Sequence, residues 1–370
     1  MDSMLTNPSN PRGLAINVES PYVVWASIVG ALVAAVLHPI FMPNSEQATV
    51  GNKAKHTKKL VIGYVVLIAG AAMLGIHGYL LKDETAKRIQ QNPYHAQIGD
   101  FPIALFSFTI LTISRILLTP LFARAGARFI PKGKYSEVEW SARVERFAGQ
   151  FWKLLFHGTM TIIPLVILRN QTWFPPGFED RQKAWEDYPL TKPTPWLREY
   201  YLFQLGYYLH AMQLTLIQSS RANFVSMVVH HIATISLVVS SYLWIHVLRF
   251  GTQIFWLHDA TDVPVCLTRL VVDLPWMALT ASSYFLLMVG WIGLRIVIYP
   301  FDCVKAHVYD AIAQGWVKSE DAKGWWLAQS LEVVLVVMHW MWLGELAGMA
   351  RTYLKSGKSA DSTQEHSKKH

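Results

Sequence analysis

Long apolar runs recur along this chain, and short stretches of charge separate most of them. A helix that crosses a bilayer needs about 20 mostly apolar residues. Runs of that kind occur at 21–43, 60–81, 101–122, 147–168, 199–218, 224–243, 250–272, 276–299 and 330–350. The pattern predicts an all-α fold, a polytopic transmembrane helical bundle of about 8–9 spans. The run 250–272 is the least apolar because it carries His258, Asp259 and Asp262. The run 147–168 carries Lys153 and His157, and 199–218 carries repeated tyrosines. A polar stretch precedes the first run, so no cleavable leader is expected. From about 355 the chain is polar and reads as a disordered tail.

Composition agrees with the pattern. Of 370 residues, 52% are hydrophobic and 16% charged, where soluble domains average about 25% charged. The net charge of +8 raises the question of nucleic acid. The basic residues, however, gather in the loop 44–59, in the loop 123–146 and in the tail after 350. Cytosolic loops of membrane proteins carry such an excess, so no nucleic-acid partner is expected. With nine spans these three regions share one side, taken as cytosolic, and the C-terminus lies there too. The Pro- and Trp-rich loop 169–198 is then lumenal, and its Asn170-Gln171-Thr172 matches a glycosylation acceptor. Of the two cysteines, Cys266 falls inside an apolar run, so no disulfide is expected.

The chemistry concentrates in 221–269, where ionisable groups lie inside apolar runs. Each costs at least about 2.5–3.5 kcal/mol to insert, so such residues carry function by default. His230 is about 9 Å into its run from the cytosolic side, and Asp262 is about 15 Å into the next, at 1.5 Å per residue. Consecutive antiparallel helices are usually neighbours, so a His pair (His230, His231) can face a carboxylate pair (Asp259, Asp262). His258 and Asp262 are spaced i,i+4, and so are His230 and Thr234, which puts each pair on one face. Three chemistries suit His with Asp in a membrane. An imidazole can act as base or nucleophile in acyl transfer. A di-metal site would need repeated His clusters, which this chain lacks, so no metal is expected. A proton relay in a transporter is the third. The plain alternative is that the polar residues join helices by hydrogen bonds.

These residues also carry a resemblance. Arg221-x-x-Phe224, His230-His231-x-x-Thr234, Ser241-Tyr242, Arg249-x-Gly251 and His258-Asp259-x-x-Asp262 together resemble the Lag1 motif of ceramide synthases, in the TRAM-LAG1-CLN8 (TLC) family. Upstream, Tyr200-Tyr201-Leu202 and Gln204-Leu205-Gly206-Tyr207-Tyr208 resemble the helix that precedes the motif; downstream, Trp291-x-x-x-Arg295 and Tyr299-Pro300 resemble a second family stretch. The chain departs from the family pattern at Asn223, Thr261, Cys266 and Arg269. The resemblance implies a TLC domain of six to seven helices at 135–354, preceded by N-terminal spans and a basic loop at 1–134 and followed by the tail 355–370. It implies an endoplasmic reticulum enzyme that joins a fatty acyl-CoA, its co-substrate, to a long-chain sphingoid base, with no cofactor. It implies His230, His231, His258, Asp259 and Asp262 as the catalytic set and Arg221, Thr234, Tyr242 and Arg249 as substrate-binding. A homodimer or a small accessory membrane subunit is left open. The rival readings are a non-catalytic TLC protein that assists translocation or senses lipid, and a proton-coupled transporter.

Overall fold

The structure is a computed structural model that describes residue 90 and residues 96–176, 181–188, 194–218, 223–245, 247–313, 315 and 322–356. The runs 21–43 and 60–81, the tail from 357 and Arg221 lie outside the described residues. Seven long helices carry the rest. They are α1 (Pro102–Phe129), α2 (Glu137–Ile167), α3 (Leu197–Ile217), α4 (Phe224–Ser240), α5 (Leu248–Val271), α6 (Met277–Gly290) and α7 (Ala322–Ser356). α6 continues through Trp291–Val304 in wider π turns, and further π turns cover Ala306–Asp310. Among the described residues there is no strand.

Five helical stretches are long and apolar enough to cross a membrane on their own: Ile98–Phe129, Glu137–Ile167, Phe224–Leu243, Met277–Val304 and Ala328–Thr352. α3 and α5, of 21 and 24 residues, are long enough but more polar. Their polar residues point inward. Gln204 and His210 of α3 are buried, as are Gln253, His258, Asp259 and Thr261 of α5. The outward faces are apolar: Phe106, Ile110 and Leu117 on α1, Phe285 and Val289 on α6, and Val337 and Trp340 on α7 are all exposed. Wide exposed apolar surface with polar groups inside is the arrangement a lipid-facing bundle requires.

Following packing partners from helix to helix closes a ring: α1 against α2, α2 against α5, α5 against α6, the π segment against α7, α7 against α4, α4 against α3 and α3 back to α1. Gly206 sets the α1–α3 approach. A Cβ there would stand 2.6 Å from the Ala104 carbonyl oxygen and 2.8 Å from the Phe108 nitrogen. α2 begins ten residues ahead of the apolar run that predicts it. Ser136 accepts from the Glu139 backbone N–H while the Glu139 carboxylate accepts from the Ser136 N–H, a reciprocal cap that starts the helix in the charged loop. Arg143 and Arg146 on that first part both pair with Asp273 after α5, so two of the basic residues of the loop fasten α2 to the α5–α6 turn.

The segment after α2 folds onto the bundle instead of looping away. Trp173, Phe174 and Trp185 are buried in one cluster with Phe250, Leu257 and Tyr299. Gln253 donates to the Trp173 carbonyl at 2.5 Å, and Arg249 donates to the carbonyls of Lys183 and Glu186 at 3.3 and 3.0 Å. Cys266 and Cys303 are both buried free thiols.

Candidate functional site

Inside the ring lies a small cavity of about 30 Å³. α3, α4, α5, the π turns and α7 wall it. Its surface is mostly apolar, from Leu237, Val238, Ile254, Phe255 and Leu335, with His230, Thr234 and His258 among the polar residues on it.

α4 brings His230 and Thr234 to the cavity because they stand one turn apart on one face. Neither the Nδ1 of His230 nor the hydroxyl of Thr234 has a hydrogen-bond partner, although both atoms are buried. The His230 ring lies 5.3 Å from that of Trp342 on α7, edge to face, and 5.3 Å from that of His231. His231 is buried and does not line the cavity, which follows from the 100° step between adjacent helical residues.

His258 comes from α5, one turn before Asp262. Its Nδ1 is 2.7 Å from the Ile254 carbonyl, so that nitrogen carries the proton. The Nε2 of the neutral ring is then an acceptor; it lies 3.2 Å from His339 Nε2 on α7, a nitrogen that also stands 3.5 Å from Arg295 Nη1.

The two carboxylates have different surroundings. Asp259 is sealed: its side chain is 3% exposed and accepts from His157 Nδ1 at 2.7 Å and from Gln204 Nε2 at 2.5 Å. His157 Nε2 accepts in turn from the Tyr207 hydroxyl at 2.9 Å. Asp262 is 32% exposed and takes Arg295 Nη2 at 2.5 Å. Arg295 also reaches the Thr261 hydroxyl at 2.9 Å and the His258 carbonyl at 3.1 Å, so its fork spans one face of α5. Glu332 does not take part in this fork and bonds His307. Two carboxylates one turn apart would repel in a medium of low dielectric. Here each has its own donor, a histidine for Asp259 and a guanidinium for Asp262.

Two of the expected substrate-binding residues lie elsewhere. The Tyr242 hydroxyl donates to Asp100 at 2.9 Å, and Asp100 lies 3.7 Å from Arg198. Tyr242 therefore does not line the cavity. Arg249 is held by loop carbonyls at the end of α5 far from Asp262. Burial there pulls its pKa below the usual guanidinium value, while Asp187 and Glu186 raise it. His157, Gln204, Arg295 and His339 join the expected residues across helix interfaces. The sequence signal for them is that each is a polar residue inside an apolar run.

An all-α bundle with an apolar exterior and buried polar groups defines a multi-pass membrane protein. The sequence profile of the TLC domain matches residues 146–347. The chain belongs to the TLC-domain family. Among curated proteins it is similar to human ceramide synthase 5, 26% identical over 213 residues that cover 58% of this chain and 52% of the human protein. It is 27% identical to Arabidopsis thaliana ceramide synthase LOH1 over 214 residues, covering 55% of this chain and 66% of that protein. It is 29% identical to rice (Oryza sativa subsp. japonica) ASC1-like protein 3 over 202 residues, covering 54% of this chain and 69% of that protein. The match thus spans about half the length of the human relative.

Proposed function

We propose that the protein is a ceramide synthase of the endoplasmic reticulum membrane with a cytosolic C-terminus, transferring a fatty acyl group from coenzyme A to the amine of a long-chain sphingoid base. One observation carries this reading. Within the region shared with ceramide synthases, an imidazole with an unpartnered nitrogen, His230, borders a cavity whose walls are otherwise largely apolar. Both substrates have long apolar chains, and a lipid-like cavity suits them.

His230 is the reacting imidazole. In the nucleophilic route it attacks the thioester carbonyl, the C–S bond breaks and coenzyme A leaves as thiolate. The amine then attacks the acyl-imidazole, the amide C–N bond forms, the imidazole is released and the amine proton passes to the thiolate. In the general-base route the amine attacks the thioester directly, His230 takes the amine proton, the C–S bond breaks as the amide forms, and the imidazolium passes that proton to the departing coenzyme A thiolate. Asp262 is held by Arg295 and makes no direct hydrogen bond to the His230 Nδ1, so it acts on the imidazole only through the field of the Arg295–Asp262 pair. The Thr234 hydroxyl, one turn away and unpartnered, donates to the developing oxyanion. His258 borders the same cavity, with its Nδ1–H fixed on Ile254 and its Nε2 against His339. Asp259 acts at one remove by fixing His157 and Gln204.

The test is an acyltransferase assay on microsomes with a panel of acyl-CoAs and sphingoid bases, comparing wild type with His230→Ala. Ceramide formation that disappears in the variant supports the reading. Absence of product from wild type with every pair of substrates leaves a non-catalytic role or transport.

A further inference from the structure

The cavity has a second polar end that the proposed reaction does not use. His307, in the π turns, and Glu332, on α7, both line it and are 2.6 Å apart, Nδ1 to Oε1. Their side chains are 2% and 1% exposed. The pair is braced from behind. Gln329 donates to the His307 carbonyl at 3.2 Å, the Tyr299 hydroxyl to the Glu332 carbonyl at 3.4 Å, and the ring of Phe250 stacks on the imidazole. The other oxygen of Glu332, Oε2, is buried and has no hydrogen-bond partner. Leaving such an acceptor unmet costs about 1–3 kcal/mol, more when it is charged.

This end lies away from His230 and about 10 Å from the His258–His339 contact, Glu332 preceding His339 by seven positions on α7. Glu332 precedes Trp342 by ten positions, or about 15 Å of helix, and His230 packs on Trp342. Phe250, stacked on His307, precedes His258 by eight positions, or about 12 Å. The hydroxyls of a sphingoid headgroup lie within a few bonds of the reacting amine, so they cannot span that gap. What reaches Glu332 is the far end of the acyl chain whose carbonyl is at His230.

We propose that His307 and Glu332 set acyl specificity: they close the cavity with a polar end that limits chain length and accepts a terminal hydroxyl in preference to a methyl. The proposal rests on the acyltransferase reading. An ordinary chain leaves Oε2 unmet, whereas an ω-hydroxyacyl chain of the right length donates to it. A chain one or two carbons too long must push against a buried, hydrogen-bonded pair. Discrimination by one methylene in a fitted pocket is worth about tenfold or more.

The experiment uses the full chain in nanodiscs with saturated acyl-CoAs of increasing length and one ω-hydroxyacyl-CoA matched to the favoured length. Wild type and Glu332→Ala are compared by product ratios, which cancel losses of folded protein. Wild type should show a length cut-off and should use the ω-hydroxy donor at least as well as its methyl counterpart. Glu332→Ala should move the cut-off to longer chains and lower the hydroxy-to-methyl ratio about tenfold. Wild type alone provides a test if the variant does not fold: use of the ω-hydroxy donor at under a tenth of the methyl rate overturns the proposal. An unchanged cut-off and ratio in Glu332→Ala does the same. Absence of any acyl transfer by wild type would instead remove the enzymatic reading beneath it.

Discussion

Arg295 donates to Asp262 at 2.5 Å, and one turn away on the same helix Asp259 is held by His157 at 2.7 Å. The two acids of the His-Asp-x-x-Asp sequence are therefore not equivalent. Asp259 is sealed into a network joining α2, α3 and α5, while Asp262 remains partly open. Removing the guanidinium should disable Asp262 more than Asp259. Arg295→Ala is expected to lower turnover by about 100-fold or more and to destabilise by about 2–4 kcal/mol, the partial exposure of Asp262 moderating the figure. Arg295→Lys should restore little, because an ammonium cannot span Asp262, Thr261 and the His258 carbonyl together. Paired turnover and thermal-unfolding measurements in detergent check both.

His157 and Asp259 should behave as one unit. Each single variant, His157→Ala and Asp259→Asn, leaves the other group buried with a lost partner, so the double variant should be less harmful than the sum. A double-mutant cycle on thermal unfolding should give a coupling of about 0.5–3 kcal/mol. Strict additivity would mean that the hydrogen bond contributes nothing.

Much of this arrangement can be read from sequence, and what cannot has a physical reason. Hydrophobic run length locates the helices because bilayer thickness sets it, and the His-Asp spacing sorts residues onto faces because helical periodicity is fixed. The start of α2 escapes a search for apolar runs, although Ser136 and Glu139 spell the cap that begins it. His157 and Gln204 meet Asp259 from 102 and 55 positions away, and His339 meets His258 from 81, and such contacts depend on ring closure, which no local pattern encodes. Tyr242 follows Ser241 in the family-like motif, yet its hydroxyl is committed to Asp100, 142 positions away.

The contrast between Tyr242 and Thr234 is testable. Tyr242→Phe loses the bond to Asp100, a stability loss of about 1 kcal/mol, and should keep turnover within about twofold. Thr234→Val keeps the shape of the side chain and removes the cavity hydroxyl, and should lower kcat about 100-fold with little effect on the melting temperature. Initial-rate kinetics on both variants distinguishes them; a large loss in Tyr242→Phe alone would assign the oxyanion donor differently.

Close approach of α1 and α3 at Gly206 predicts that Gly206→Ala forces the helices apart and destabilises by about 1–3 kcal/mol. Gly344 on α7 has nothing within 4 Å of a built Cβ, so Gly344→Ala should be neutral or raise stability by up to about 1 kcal/mol. Melting temperatures of the two alanine variants, taken under one detergent condition, decide this.

The role of His230 is tested most directly by intact-protein mass measurement together with turnover, on protein incubated with a long-chain acyl-CoA in the absence of base. The nucleophilic route predicts a mass increase of one acyl group that a sphingoid base removes, and His230→Ala should show neither the adduct nor ceramide formation. A variant that retains wild-type turnover, with no adduct on the wild-type protein, would contradict the assignment of His230 as the reacting group.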